Sequence, residues 1–269
     1  MGVFELQDHS RATHGKIRAF LREVQRARVR ALLLDDDGTL VPFCAEPSRA
    51  VPYCEMLLLL KRLQSETDTR LVIMSGRPAV GAARLLRLPE VEVWGCHGLE
   101  RLKADGTLHR ADVPAESLHA IAEATQFLMQ EGLCDFAERK FASIAIHWRG
   151  KEALAGQLIR RVLRAWSTIQ HVNGVRLLPF DGGIEIAAAI RNKGDAVQTV
   201  LEEIGPDAAV AYLGDDASDE NAFEAIHGRG LSILVRRVYR RTLADVWVRP
   251  PDEVSAFFRG WIAACKDSG

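Results

Sequence analysis

The chain has 269 residues, is 48% hydrophobic and carries a formal net charge of −1. That is enough apolar material for one large or two modest cores and too much for a disordered chain. Near-neutrality argues against a nucleic-acid or membrane-surface role.

The pattern predicts, in chain order, an amphipathic helix over 15–27, a strand over 29–34 and a helix over 49–65. A strand over 70–74, a helix over 78–87 and a strand over 91–95 follow. Such alternation builds a parallel sheet with right-handed crossovers. From about 103 the pattern changes. Asp105-Gly106 is a hairpin turn between short extended pieces. A helix over 115–131, extended runs near 134–138 and 142–149, a helix over 151–169 and extended runs near 175–179 and 184–188 suggest an α+β insert. The alternation then resumes with helix 193–204, strand 208–213, helix 218–227, strands 231–235 and 246–248, and helix 252–265. The fold class is therefore α/β: a core of residues 1–103 and 188–269, split by an α+β domain over 104–187.

The five cysteines form no Cys-x-x-Cys pair, as expected of a reducing, cytoplasmic setting without structural zinc. No targeting or membrane-spanning stretch is expected. The clusters Arg236-Arg237 and Arg240-Arg241 read as solvated faces.

The strand ends carry the chemistry. Asp35 and Asp37 follow the apolar run Ala31-Leu32-Leu33-Leu34 and point the same way, while Asp36 points elsewhere. Gly38 permits a sharp turn. Two acids there suit a hard cation such as Mg²⁺, and one could attack phosphorus. Ser75-Gly76-Arg77 sits between a strand and a helix opened by Pro78, where a hydroxyl and backbone N–H groups can meet a phosphate. Lys193 at a helix N-terminus opposes the helix dipole unless an anion compensates it. Asp215-Asp216 follows Val210-Ala211-Tyr212-Leu213; Ser218 or Asp219 can cap the next helix, but capping leaves Asp215 and Asp216 for a cation. In the run 142–149, Ile144, Ile146 and Trp148 share one strand face and Ser143, His147 and Arg149 the other; His147 reads as a sheet-face histidine without a catalytic role.

Asp35-x-Asp37-Gly38-Thr39 resembles the signature of the haloacid dehalogenase superfamily. Gly95-Cys96-His97-Gly98, Glu138-x-Lys140, Ser143, His147, Arg149, Glu185, Lys193-Gly194 and Gly214-Asp215-Asp216-x-Ser218-Asp219-Glu220 resemble the trehalose-6-phosphate phosphatase family over about residues 28–260. The resemblance implies a Rossmann-like core with a cap over the active site. It implies Asp35 as nucleophile and Asp37 as general acid–base. Mg²⁺ would be held by Asp35, Asp215 and the backbone carbonyl of Asp37. Ser75 and Lys193 would bind the phosphoryl group. Arg77, His97 and Gly98 from the core, and Glu138, Lys140, Arg149 and Glu185 from the cap, would contact the sugar. It also implies a sugar-phosphate substrate and a trehalose-phosphate synthase as a partner. The family commonly has a basic residue and a proline after the cap glutamate; here Ile186-Ala187-Ala188-Ala189 follows Glu185, with Arg191 as a substitute at a different offset. Other sugar phosphates (sucrose phosphate, a mannosyl-phosphoglycerate), a phosphomutase and a catalytically silent sugar-phosphate-binding module remain the alternatives.

Overall fold

The computed structural model describes residues 3–42 and 51–267, with side chains from residue 12 onward. Cys44 and the start of the helix expected over 49–65 lie outside the described residues. The first half of the chain gives α1 (Val3–Arg26), β1 (Arg30–Asp35), α2 (Cys54–Glu66), β2 (Thr69–Met74), α3 (Ala79–Leu86), β3 (Glu92–Gly95), β4 (Glu100–Leu102) and β5 (Leu108–Arg110). Next come α4 (Ala115–Gln130), β6 (Ala137–Lys140), β7 (Ser143–His147), α5 (Ala155–Ile169), β8 (Val175–Phe180) and β9 (Gly183–Ala188). The chain ends with α6 (Lys193–Ile204), β10 (Ala209–Gly214), α7 (Glu220–Ile226), β11 (Leu231–Val235), β12 (Val246–Val248) and α8 (Asp252–Lys266).

The large sheet runs β12-β11-β10-β1-β2-β3-β4-β5. Its strands are parallel from β12 to β3. The chain winds outward from β1 to β2 and β3, then returns on the other side through β10 to β11 and β12, so the winding reverses between β1 and β10. Ligands of open α/β sheets bind where the strand order reverses. β1 is wholly buried because both faces are covered. Leu32 and Leu34 pack with Phe20 of α1, Leu60 of α2 and Phe258 of α8. Ala31 and Leu33 pack with Val197 of α6 and Phe223 of α7.

The second sheet is antiparallel, in the order β6-β7-β9-β8. Ile144, Ile146, Ile184 and Ile186 on one face bury against Ala124 and Leu128 of α4 and Val162 and Ile169 of α5. This period-two pattern, in which one face is greasy and the other polar, was legible in residues 142–149.

Two expectations need correction. The hairpin around Asp105-Gly106 does not start the insert: β4 pairs antiparallel with β3 and extends the large sheet. A lone hairpin has too little core to stand alone, and the open edge of β3 offers it backbone partners. The first helix begins at Val3 instead of 15. No described helix is long and apolar enough to cross a membrane.

Candidate active site

Asp35 ends β1, and Asp215 follows β10, so the reversal of strand order brings them side by side. Both are buried. Gly38 lies against Asp215 and has φ +89°, and a Cβ there would fall 2.3 Å from Asp215 Oδ2. Glycine is therefore required twice, by backbone sign and by contact. The turn is closed by hydrogen bonds from the Leu40 and Val41 amides to Asp36 O, at 3.0 and 2.9 Å.

Lys193, the first residue of α6, is buried and donates to Asp35 Oδ1 at 2.5 Å and to Asp219 Oδ1 at 2.8 Å. These carboxylates are the anions its place at a helix N-terminus required. Asp219 is fully engaged: it also accepts from Tyr212 Oη at 2.6 Å and from the Asp215 and Asp216 amides at 3.0 Å each. Burial works against its charge, but Lys193 and these donors hold its carboxyl below the usual range. Asp219 is thus more than a helix cap; it anchors both Lys193 and the loop carrying Asp215.

Asp35, Asp215 and Asp219 offer carboxylate oxygens that all lie within 4.8 Å of one another. Asp35 Oδ2 and Asp215 Oδ2 are buried without a hydrogen-bond partner. Burial, reinforced by neighbouring carboxylates, pushes both groups well above the usual range despite Lys193. Two buried acids with free oxygens, prone to take up protons, fit a hard divalent cation that would supply the missing charge. Asp219 has no oxygen to spare for such an ion.

Asp37 is held by Arg77 in a two-point pair, Nε to Oδ2 and Nη2 to Oδ1, both 2.7 Å. Asp36 points into the core and accepts from Ser75 Oγ at 2.8 Å. Burial and the charge of Asp37 raise its carboxyl to about 6. Ser75 is fully buried, its proton committed to Asp36, and its oxygen accepts from the Arg77 amide at 2.9 Å. Through these two bonds Ser75, the serine expected at the phosphoryl group, braces the strand ends.

Above these residues lies a cavity of ≈ 100 Å³. Its wall includes Asp35, Asp37, Arg77, His97 and Lys193 from the large sheet's side, and Glu138, Lys140, Arg149 and Glu185 from the second sheet. Ser75 and Gly98 are absent from the wall. Gly98, with φ +99°, serves a close approach instead, since a Cβ there would sit 2.7 Å from Asn192 O. The second sheet turns its polar face to the strand ends. Lys140 Nζ crosses to Gly76 O at 2.9 Å and pairs with Glu185 Oε2 at 3.0 Å. His97 Nε2 lies 3.4 Å from the same carboxylate, which Ser143 Oγ also contacts. Burial would raise the Glu185 carboxyl, but Lys140, His97 and Ser143 hold it well below its ordinary range. Burial lowers His97 in turn. His147, read as a plain sheet-face residue, lines the cavity and meets Glu138 Oε2 at 2.9 Å. Arg149 donates to the carbonyl of Asp181.

Three arginines went unrecognised as part of this region. Arg236 and Arg240, expected on a solvated face, turn inward: Arg236 donates to Asp215 O at 3.3 Å, and Arg240 to Asp215 O and Asp216 O at 3.2 and 2.8 Å. Arg176 stands opposite Ala187 in the β8–β9 ladder. Its Nη2 donates to Arg191 O at 2.7 Å, and its Nε is buried without a partner. Arg191 itself lies over the Trp94 ring at 5.1 Å and donates to Thr199, so it does not substitute after Glu185.

A doubly wound parallel sheet, with acids at the strand reversal and an α+β domain above them, is the architecture of haloacid dehalogenase-like hydrolases. One such hydrolase from B. subtilis matches 86% of this chain and 99% of its own, with a TM-score of 0.56 at 15% identity. The C-terminal domain of C. albicans trehalose-6-phosphate phosphatase matches 92% and 96%, with a TM-score of 0.76 at 19% identity. Residues 33–245 match the model of the trehalose-phosphatase family, and the chain belongs to that family of phosphatase hydrolases. A trehalose-phosphate phosphatase of Mycobacterium ulcerans is 29% identical over 84% of this chain and 60% of its own length. The chain spans 17% of the length of an uncharacterized glycosyl hydrolase of Mycobacterium tuberculosis that it also matches, and 60% of the M. ulcerans protein.

Proposed function

We propose that this protein hydrolyses trehalose 6-phosphate to trehalose and phosphate, with Mg²⁺ as cofactor. The observation that carries the proposal is Asp35: a buried carboxylate at the strand reversal, one oxygen held by Lys193 and the other free, beneath a wall of sugar-suited side chains. Asp35 attacks phosphorus and forms an aspartyl-phosphate. Asp37 gives a proton to the leaving sugar oxygen and later takes one from the attacking water; such acid–base help is worth roughly 10²–10⁴-fold. For the first step Asp37 must carry a proton, so its pair with Arg77 describes the state before substrate binds. Lys193 neutralises charge on the transferring group. Asp35 and Asp215, with the Asp37 backbone carbonyl expected as a third ligand, would hold the Mg²⁺, which would supply positive charge for the phosphoryl group.

The four-stranded sheet with α4 and α5 acts as the cap. Glu138, Lys140, Arg149 and Glu185 combine donors and acceptors, which suits hydroxyls that both give and accept hydrogen bonds. A trehalose-phosphate synthase is the partner this reading names, as the source of the substrate, and the cytoplasm is its setting. The test is phosphate release from a panel of sugar phosphates, with Mg²⁺ and with EDTA. Mg²⁺-dependent preference for trehalose 6-phosphate, lost in Asp35→Asn, is the expected result. Preference for another sugar phosphate would refute the substrate, and full activity of Asp35→Asn would refute the chemistry.

A further inference from the structure

The cavity wall is made of acids, lysines, arginines, histidines, glycine and serine, with one hydrocarbon side chain among its described residues: Phe180. Ligand cavities are usually lined mainly by apolar groups, so a single ring in a charged wall needs a reason. Phe180 ends β8 and faces Gly183 of β9, which in turn faces His147 of β7. The middle position of this cross-strand row has no side chain. The Phe180 ring occupies that space, and a Cβ on Gly183 would fall 1.9 Å from Phe180 Cζ. Over the gap the rings of Phe180 and His147 meet edge to face, with centroids 5.3 Å apart and planes at 60°. His147 then holds Glu138.

We propose that Phe180 is a specificity-determining residue, its ring the apolar platform for the C–H face of a pyranose ring. The inference rests on the sugar-phosphate reading above and extends it. An aromatic face carries a negative quadrupole and attracts polarised C–H groups. A pyranose presents such a face, while its hydroxyls project sideways toward groups such as Glu138 and Arg149. An acyclic phosphate ester has no face to stack. The position also explains Gly183, because any larger residue would push the ring off the row.

The test compares kcat/KM on trehalose 6-phosphate and on glycerol phosphate for wild type, Phe180→Leu, Phe180→Tyr and Gly183→Ala. Phe180→Leu and Gly183→Ala should lower the ratio of the two by about 10- to 100-fold, mainly through KM on the sugar phosphate. Phe180→Tyr, which keeps the ring, should stay within about threefold of wild type. A Phe180→Leu ratio within about twofold of wild type overturns the proposal, as does Phe180→Tyr failing as badly as Phe180→Leu. Calorimetric binding of trehalose 6-phosphate to Asp35→Asn, with and without Phe180→Leu, reads the same platform without turnover. There the second substitution should weaken Kd by about 10- to 100-fold, and equal Kd values overturn the proposal. Should wild type bind the sugar phosphate without hydrolysing it, the phosphatase reading falls while the platform is still judged by these Kd values. Absence of binding in both proteins overturns the platform and the sugar site together.

Discussion

Replacing Lys193 with methionine should be costly to stability as well as to activity. Its ammonium donates to Asp35 and Asp219 at 2.5 and 2.8 Å, and all three side chains are nearly inaccessible to water. Hydrogen bonds to charged groups contribute roughly 1.5–3 kcal/mol each, which puts the loss of two at about 3–6 kcal/mol. Removing one partner of a buried ion pair costs roughly 3–5 kcal/mol by direct comparison, so the two routes agree. The upper limit is set by proton uptake, since a stranded Asp35 neutralises itself rather than remain charged. A loss of about 3–5 kcal/mol is therefore expected, a large share of the roughly 5–15 kcal/mol available to a folded protein. Urea unfolding followed by tryptophan fluorescence measures it. A divalent cation should recover more stability in the variant than in wild type, because it replaces the missing charge beside Asp35 and Asp215. A loss below about 1 kcal/mol would refute the reasoning, since it would mean that Lys193 is not the counter-charge of this cluster.

Three further outcomes are expected. Gly38→Ala should lower stability by about 1–2 kcal/mol through the left-handed backbone and, by displacing Asp215, weaken Mn²⁺ binding in calorimetry; unchanged Mn²⁺ affinity would refute the contact argument. Arg240→Ala removes one of the two arginine bonds to the Asp215 carbonyl and the bond to the Asp216 carbonyl, and should weaken Mn²⁺ binding about 10-fold, while Arg237→Ala should leave it unchanged; equal effects would refute the assignment. The stability advantage of wild type over Glu185→Gln should be complete at neutral pH and shrink as pH falls below about 4.5, by at most roughly 1.4 kcal/mol per pH unit. The sign follows because native Glu185 stays ionised where the unfolded chain takes up a proton. The difference between the two proteins separates Glu185 from Asp35, Asp36 and Asp215, whose raised carboxyls act in the opposite sense. An advantage that does not change between pH 7 and pH 4 would refute it.

Much of this was legible in the sequence because it is local. Alternating apolar runs and helical periods mark the sheet, and the acids of 35–37 and 215–219 stand directly after buried strands. The hairpin turn at Asp105-Gly106 reads as part of the insert because its strands are too short to show which edge they pair with. What stayed hidden depends on pairs far apart in the chain. The bond from Ser75 to Asp36, 39 residues away, leaves no mark in the sequence. Arg236 and Arg240 read as surface charge because their acceptors are backbone carbonyls, which leave no mark in the sequence. The stretch Ile186-Ala187-Ala188-Ala189 reads as lacking a basic residue, whereas across the ladder Ala187 stands opposite Arg176.

The cavity size bears on how the proposed reaction proceeds. At ≈ 100 Å³ it is well below the roughly 300–1,000 Å³ typical of ligand sites. In the proposed reaction the second sheet would shift to admit the substrate. The contacts resisting that movement include Lys140 to Gly76 O and His97 to Glu185, in which Lys140, His97 and Glu185 are residues expected to meet the sugar. Substrate hydroxyls would thus replace bonds the protein already makes to itself. Affinity becomes a difference between two satisfied states, and discrimination among sugars shifts to groups with less internal satisfaction. In the proposed cap that leaves the partly exposed ring of Phe180, which makes no hydrogen bond and is where substrate choice is best sought.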